Sequence, residues 1–186
     1  MNIQHLTGKD FSVGTWSGGS TTQLYLYPEN GSYAARDFTL RISSAVVHVA
    51  ESDFTPLEGV TRFITPLTGG FTLTHPGMEP VNMKPLDPPY QFSGDVPTHC
   101  VGTATDFNLM LKGVAGDMEI CRELAVILPG FNSYYPLESA TLTIGGKRLA
   151  MEAGDLLVVF AREQATLGIS AGAVIRCFAA IEVQAQ

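Results

Sequence analysis

Any chemistry in this chain has to come from a few polar side chains set among apolar strands. Arg41 sits in "LRISSA", on the same side of an alternating segment as Thr39 and Ser43. If that face is enclosed, its guanidinium offers paired donors to a carboxylate or a phosphate. On a solvated face it is an ordinary surface arginine, and spacing alone favours that simpler account. Arg62 follows the turn Pro56-Leu57-Glu58-Gly59 and opens the next strand, a position from which side chains often line a binding mouth. The plain alternative is an exposed ion pair with Glu58. In "DFNLM", Asp106, Asn108 and Met110 share one strand face. Asp106 and Asn108 can orient a ligand by hydrogen bonds, and Asp106 can equally neutralise a buried arginine.

A second polar concentration is "WSGGSTTQL", Trp16 to Leu24. Gly18 and Gly19 permit a tight loop or close approach of another chain. Ser17, Ser20, Thr21 and Thr22 supply hydroxyls. The pattern is not a phosphate-binding loop, because it lacks that spacing and no helix follows. A loop leading into a strand, with Trp16 packed beneath it, accounts for it as simply as a ligand rim does.

Other chemistries are poorly supported. His5, His48, His75 and His99 form no HxH or HExxH pattern, and the cysteines form no CxxC pair. No metal or other cofactor is expected. There is no GxSxG elbow. Glu119, Cys121 and Glu123 alternate along one segment, which a solvated edge strand explains. "PGFNSYYPLES" holds Phe131, Tyr134 and Tyr135 between prolines and reads as a packed connection or a pocket cover.

The elements that must position these groups are strands. Period-two alternation recurs in "TTQLYLYP", with Gln23, Tyr25 and Tyr27 expected on one face, and in "DFTLRISSAVVHV". Further strands are expected at "TRFITPL", "GGFTLTH", "THCVG", "MEICREL", "ATLTIGG", "GDLLVVF" and "VIRCFAAIEV". The chain has 19 glycines and 11 prolines, and they interrupt it too often for long amphipathic helices. "TLTIGGKRLAMEAGDLLVVF" reads as a hairpin about Gly145-Gly146, a turn at Gly154-Asp155 and a buried strand. The expected fold is all-β, a double-sheet sandwich, jelly roll or barrel, with two similar β halves as an option. The 186 residues suit one domain, 1–186.

The formal net charge of −7, with no lysine or arginine run, argues against nucleic acid and anionic membranes as partners. No apolar stretch approaches the length of a membrane span, and "MNIQHLTGKDF" has no signal-like apolar region. Three dispersed cysteines, Cys100, Cys121 and Cys177, fit a reducing compartment, so a cytoplasmic protein is expected.

Taken together, "WSGGSTTQL", "FTLRISSAVV", "FTPLEGVTRFITPLTGG", "FSGD" and "DFNLM", in this order, resemble the HutD/Ves family. The resemblance implies a cupin-like double-sheet fold of the RmlC type and a link to bacterial histidine utilisation or, in the Ves branch, to stress responses. It also implies binding of a small acidic metabolite such as urocanate or formylglutamate. Carried over by motif, Trp16, Gly18, Gly19, Thr22 and Gln23 match the first string, and Arg41 and Ser43 the second. Gly59 and Arg62 match the third, Gly94 and Asp95 the fourth, and Asp106, Asn108 and Met110 the fifth. Two departures are Gly18-Gly19-Ser20 in place of three glycines and Leu111-Lys112-Gly113 after the last string.

The expectation is therefore a metal-free binding protein for a small carboxylate. Arg62 or Arg41 would hold the acid, Gln23, Asp106 and Asn108 would orient it, and Trp16 would form an apolar wall. Thr22 and Ser43 would add polar contacts, and Gly18, Gly19, Gly59 and Gly94 would shape the loops. The alternatives are a metal-free enzyme using Asp106 or a histidine as acid/base, and a ligand-free interaction or stress protein. A homodimer is compatible with all three.

Overall fold

The computed structural model describes residues 1–183. The described chain is all-β apart from a single 3₁₀ turn at Gly8–Asp10, with nineteen strands running antiparallel wherever they pair. It divides into two compact units. One spans Phe11–Gly113, and the other combines Met1–Asp10 with the chain from Val114 onward.

The Phe11–Gly113 unit carries two sheets. The larger has the order β2 (Ser12–Trp16), β3 (Gly19–Tyr27), β4 (Leu40–Val47), β11 (Ala104–Lys112), β6 (Val60–Gly69), β9 (Tyr90–Ser93). The smaller has the order β5 (Glu51–Asp53), β10 (His99–Val101), β7 (Phe71–Thr74), β8 (Val81–Met83). Ile64, Phe92 and Ala104 from the larger sheet pack on Phe71, Leu73, Met83 and Cys100 from the smaller, forming one apolar layer between them. A second cluster of Phe38, Leu57, Val60 and Met110, flanked by Leu26 and Tyr33, fills another part of the unit.

The other unit pairs β1 (Asn2–Leu6), β17 (Leu156–Ala161), β14 (Gly130–Pro136), β19 (Val174–Ala179) and β12 (Gly116–Cys121) in one sheet. Its second sheet runs β13 (Leu124–Ile127), β18 (Ala165–Ile169), β15 (Ala140–Ile144), β16 (Lys147–Met151). Tyr134, Leu142, Leu157, Val159, Leu167 and Val174 form its core. The hairpin about Gly145-Gly146 is present, and both glycines have positive φ (55° and 81°), as a tight two-residue turn requires.

Two segments differ from the sequence expectation. "PGFNSYYPLES" is neither a cover nor a connection: it contains β14, the central strand of its sheet. Burial on both faces removes the alternation that would have marked it. In β3 a register irregularity between Gln23 and Tyr25 interrupts the alternation. Gln23 therefore pairs with Ser43 and Leu26 with Arg41, while Tyr25 faces Ile42, so Gln23 and Tyr25 do not share a face.

No helix among the described residues is long and apolar enough to cross a membrane. Cys100, Cys121 and Cys177 are free and buried. Burial raises their thiols to about 11, 12 and 12 respectively, which makes them structural rather than nucleophilic at neutral pH.

Candidate functional site: an arginine-bearing cavity

The pairing registers of the larger sheet set up the site. Met110 on β11 pairs with Arg41 on β4 and with Arg62 on β6, so the three side chains form a row across neighbouring strands. The next row holds Ser43 and Asn108, and the next Ala45 and Asp106. Opposite Ala45 on β3 lies Thr21. One face of the sheet thus presents two arginines, a carboxyl, an amide and hydroxyls.

This face lines a cavity of about 320 Å³. Its walls include Arg62, Asp106, Asn108 and Met110, together with Thr21, Ala45 and Val47. Trp16, Tyr33 and the segment Ser52–Thr55 complete it. Trp16 is 42% exposed, as expected for a residue at a rim.

Arg62 is 7% exposed and lies over two neighbouring aromatic rings, with its Cζ 4.6 Å from the Phe54 centroid and 5.1 Å from the Phe92 centroid. Both rings present π faces that favour a cation. Burial lowers its pKa to about 10, so it remains charged at neutral pH. Its Nε is buried without a hydrogen-bond partner. Among the described residues no carboxylate lies within ion-pair distance of it.

Asp106 is 5% exposed. Burial raises its carboxyl to about 7, against the opposing pull of Arg62, the Ala45 N–H and the Asn108 amide. Asn108 Nδ2 donates to Asp106 Oδ1, and Asn108 Oδ1 is buried without a partner. Ser44, on the opposite face of β4, donates to the Asp106 carbonyl and ties β4 to β11 at this point.

Arg41 is placed differently. Its Nε donates to Gln23 Oε1 at 3.1 Å and its Nη1 to Ser43 Oγ at 3.0 Å. Its guanidinium stacks 4.0 Å from the Tyr33 centroid, and it is Tyr33 that reaches the cavity wall. Gln23, Ser43 and Arg41 thus form a polar layer behind Tyr33 on the same sheet face. Thr22 pairs with Ser44 and lies on the opposite face, while Thr21 lines the cavity.

The glycines serve the frame. A Cβ at Gly19 would run into the Val46 carbonyl of β4, and one at Gly18 into the Trp16 ring. Gly59, at positive φ, donates its N–H to Asp95 Oδ1 at 3.1 Å. Gly94 bridges the Leu57 N–H and the Val60 carbonyl. Together they brace the turn that leads into β6 and so set the position of Arg62.

Several wall residues carry no sequence signal. Tyr33, Phe54 and Thr55 come from segments outside the strands, so no periodicity associates them with Arg62. Thr21 was legible in principle. Strand alternation allows only one of Thr22 and Gln23 to share a face with Arg41, and Thr21 is the threonine on the side of Gln23.

A cupin-like fold raises the question of a metal. The cavity wall contains a guanidinium, the carboxyls of Asp53 and Asp106 and no histidine, and a guanidinium among the donors disfavours a divalent cation. His99 is committed to Asp53, with Nδ1 2.8 Å from Oδ1. Among the described residues no group of three or more His, Cys, Asp or Glu side chains is arranged to hold a metal ion.

The HutD family model matches residues 8–175. The chain belongs to the HutD family. Its fold is shared with solved structures. The conserved protein PA5104 from Pseudomonas aeruginosa PAO1 superposes with a TM-score of 0.81 at 21% identity, covering 95% of this chain and 97% of that one. HutD from Pseudomonas fluorescens SBW25, solved in a formate condition, gives 0.77 at 21% identity, with 96% and 99% covered. The bacterial pirin YhhW from Escherichia coli, solved in complex with nickel(II), gives 0.66 at 10% identity, with 98% and 100% covered. These likenesses place this HutD-family chain among cupin-like β folds. No curated protein sequence matches it.

Proposed function

We propose that this HutD-family protein binds the carboxylate of a small metabolite, with urocanate and formylglutamate as the leading candidates, and acts in histidine utilisation as a cytoplasmic, metal-free binding protein. The observation that carries this reading is Arg62. A buried, charged guanidinium with an unpartnered Nε and no ion-paired carboxylate, set in the wall of a cavity, is a costly arrangement unless an anion completes it. Asn108 Oδ1 leaves an acceptor for a ligand N–H, which a formamide or an imidazole supplies. Trp16, Tyr33 and Phe54 give the walls the aromatic character common in small-molecule sites. The formate condition of the Pseudomonas fluorescens relative fits a small carboxylate, and the three buried free thiols fit a reducing compartment.

The test is a thermal-shift screen against urocanate, formylglutamate, formate, glutamate and histidine. A ligand at about a hundred times its dissociation constant stabilises the fold by roughly 2.7 kcal/mol. At least one acid is expected to raise the melting temperature, and Arg62→Ala is expected to abolish that rise. Uniformly flat melting temperatures would remove the reading.

A second reading is acid–base catalysis on the same metabolite. The Asp106 carboxyl at about 7 favours it, since that value suits proton transfer at neutral pH. Turnover of an acid that is lost in Asp106→Asn would establish it.

A further inference from the structure

The charges in the cavity do not balance for a carboxylate ligand. Arg62 is the cation of the wall, because Arg41 is turned to Gln23, Ser43 and the Tyr33 ring. Asp106 already lies in the same wall, within the electrostatic reach of Arg62. A ligand carboxylate would place a second acid group beside a single guanidinium, in a space of about 320 Å³. Two carboxylates that close in a buried site do not both stay ionised, and the pair holds a proton between them.

We propose that Asp106 is a specificity-determining residue of this site: it enters the complex as the neutral carboxylic acid and donates its proton to the ligand carboxylate, so that binding takes up one proton. This rests on the carboxylate reading above. The balance is simple. Ionised Asp106, one proton from solvent and one ligand carboxylate give a complex in which the two carboxyl groups share that proton beside the Arg62 guanidinium. No covalent bond changes.

The surroundings support this assignment. The ionisable groups around Asp106 are Arg62 on β6, Arg41 on β4, Tyr33 before β4, Asp53 on β5 and the Cys100 thiol on β10. Asp53 is a carboxylate already engaged by His99, and burial keeps Cys100 a neutral thiol. Arg41 carries a second positive charge, but its Nε and Nη1 are taken by Gln23 and Ser43 and its guanidinium lies against the Tyr33 ring, so Arg62 is the guanidinium left to contact a second anion. Asn108 Nδ2 and the Ala45 N–H each donate to the Asp106 carboxyl, whose two oxygens keep lone pairs able to carry the proton. The unliganded carboxyl stands at about 7, so the protonated form is readily available at neutral pH.

The test is calorimetric titration with formate, a single carboxylate with no group titrating near neutrality. It is repeated from about pH 6 to about pH 9 in two buffers of different ionisation enthalpy. Proton uptake should rise from about a tenth of a proton per ligand at pH 6 to about nine-tenths at pH 8, and affinity should fall about tenfold per pH unit above that. Asp106→Asn should bind with an affinity flat across the range and take up no proton. If that variant does not fold, the proton count of the unaltered protein decides alone. Binding with no proton taken up and no pH dependence would overturn the proposal and leave the carboxylate reading standing. Absence of binding by this acid and by every other acid of the thermal-shift screen, at about pH 6 included, would overturn both.

Discussion

Asp106 makes the site sensitive to pH even without a ligand. Its folded value of about 7 lies above the 3.8 of an ordinary aspartate. A raised folded value means that the group's contribution to stability is fully present below the unfolded value and is lost as pH rises through about 7. The buried ionised form is the costly one, so Asp106→Asn should stabilise the fold by roughly 2–4 kcal/mol at about pH 8 and leave it little changed near pH 4. Denaturant midpoints of the two proteins across that range measure the difference. Midpoint curves that run parallel at every pH would show that Asp106 does not titrate in this window. At this scale the sequence was informative where alternation ran undisturbed. Asp106, Asn108 and Met110 share a face because β11 is regular from Asp106 onward. Arg41 was indistinguishable from Arg62 by residue type, because what separates them is Tyr33, a ring brought in from outside any strand.

The elements owe their arrangement to a few close approaches. β3 begins at Gly19, paired with Val47 of β4, where a Cβ would collide with the Val46 carbonyl. Gly19→Ala must therefore push β3 away from β4, at a cost of about 1–3 kcal/mol, typical of overpacking. Because Thr21 and Trp16 belong to the same β2–β3 hairpin, ligand affinity should fall together with the denaturation midpoint. An unchanged midpoint in that variant would show that the strand gap tolerates a methyl group. The hairpins and their glycine turns were legible because turn chemistry is local. β14 was not, because a strand buried on both faces loses its period, and the β3 irregularity was not, because nothing in "TTQLYLYP" marks it. The glycines of "WSGGSTTQL" thus answer to strand packing and to the Trp16 ring, and the hydroxyl that reaches the cavity is that of Thr21.

At the scale of the molecule, three arginines are buried among the described residues, Arg41, Arg62 and Arg176, and the last two are treated in opposite ways. Arg176, 3% exposed on β19, holds Asp117 at 3.0 Å and Glu119 at 2.9 Å and donates its Nε to the Val126 carbonyl at 2.8 Å. Tyr134 donates to the same carbonyl. That arginine joins β12, β13 and β19 and has its counter-ions within its own unit. Arg62 has aromatic rings and an open cavity instead. Arg176→Met should therefore cost about 1.5–3 kcal/mol, the scale of charged hydrogen bonds lost with their partners left behind. Arg62→Met at about pH 6, where Asp106 is largely neutral, should be neutral or stabilising by up to about 1 kcal/mol, because it removes a buried cation that has no ion-pair partner. Chemical denaturation of both variants distinguishes a structural arginine from a binding one. The all-β class was readable from alternation and turn residues across the whole chain. The placing of Met1–Asp10 in the unit of the chain from Val114 onward was not, because the long-range pairing of β1 with β17 leaves no local mark.

The central claim is that Arg62 is held charged and unpaired to receive a carboxylate. It is tested most directly by titrating N-formylglutamate calorimetrically into the unaltered protein and into Arg62→Met at about pH 6, with the melting temperature confirming that the variant is folded. The account predicts one ligand per chain in the unaltered protein and an affinity at least about a hundredfold weaker in the folded variant, the scale of a lost charge-assisted pair in a buried site. Equal affinity in the two proteins would contradict it and place any acid-binding site elsewhere.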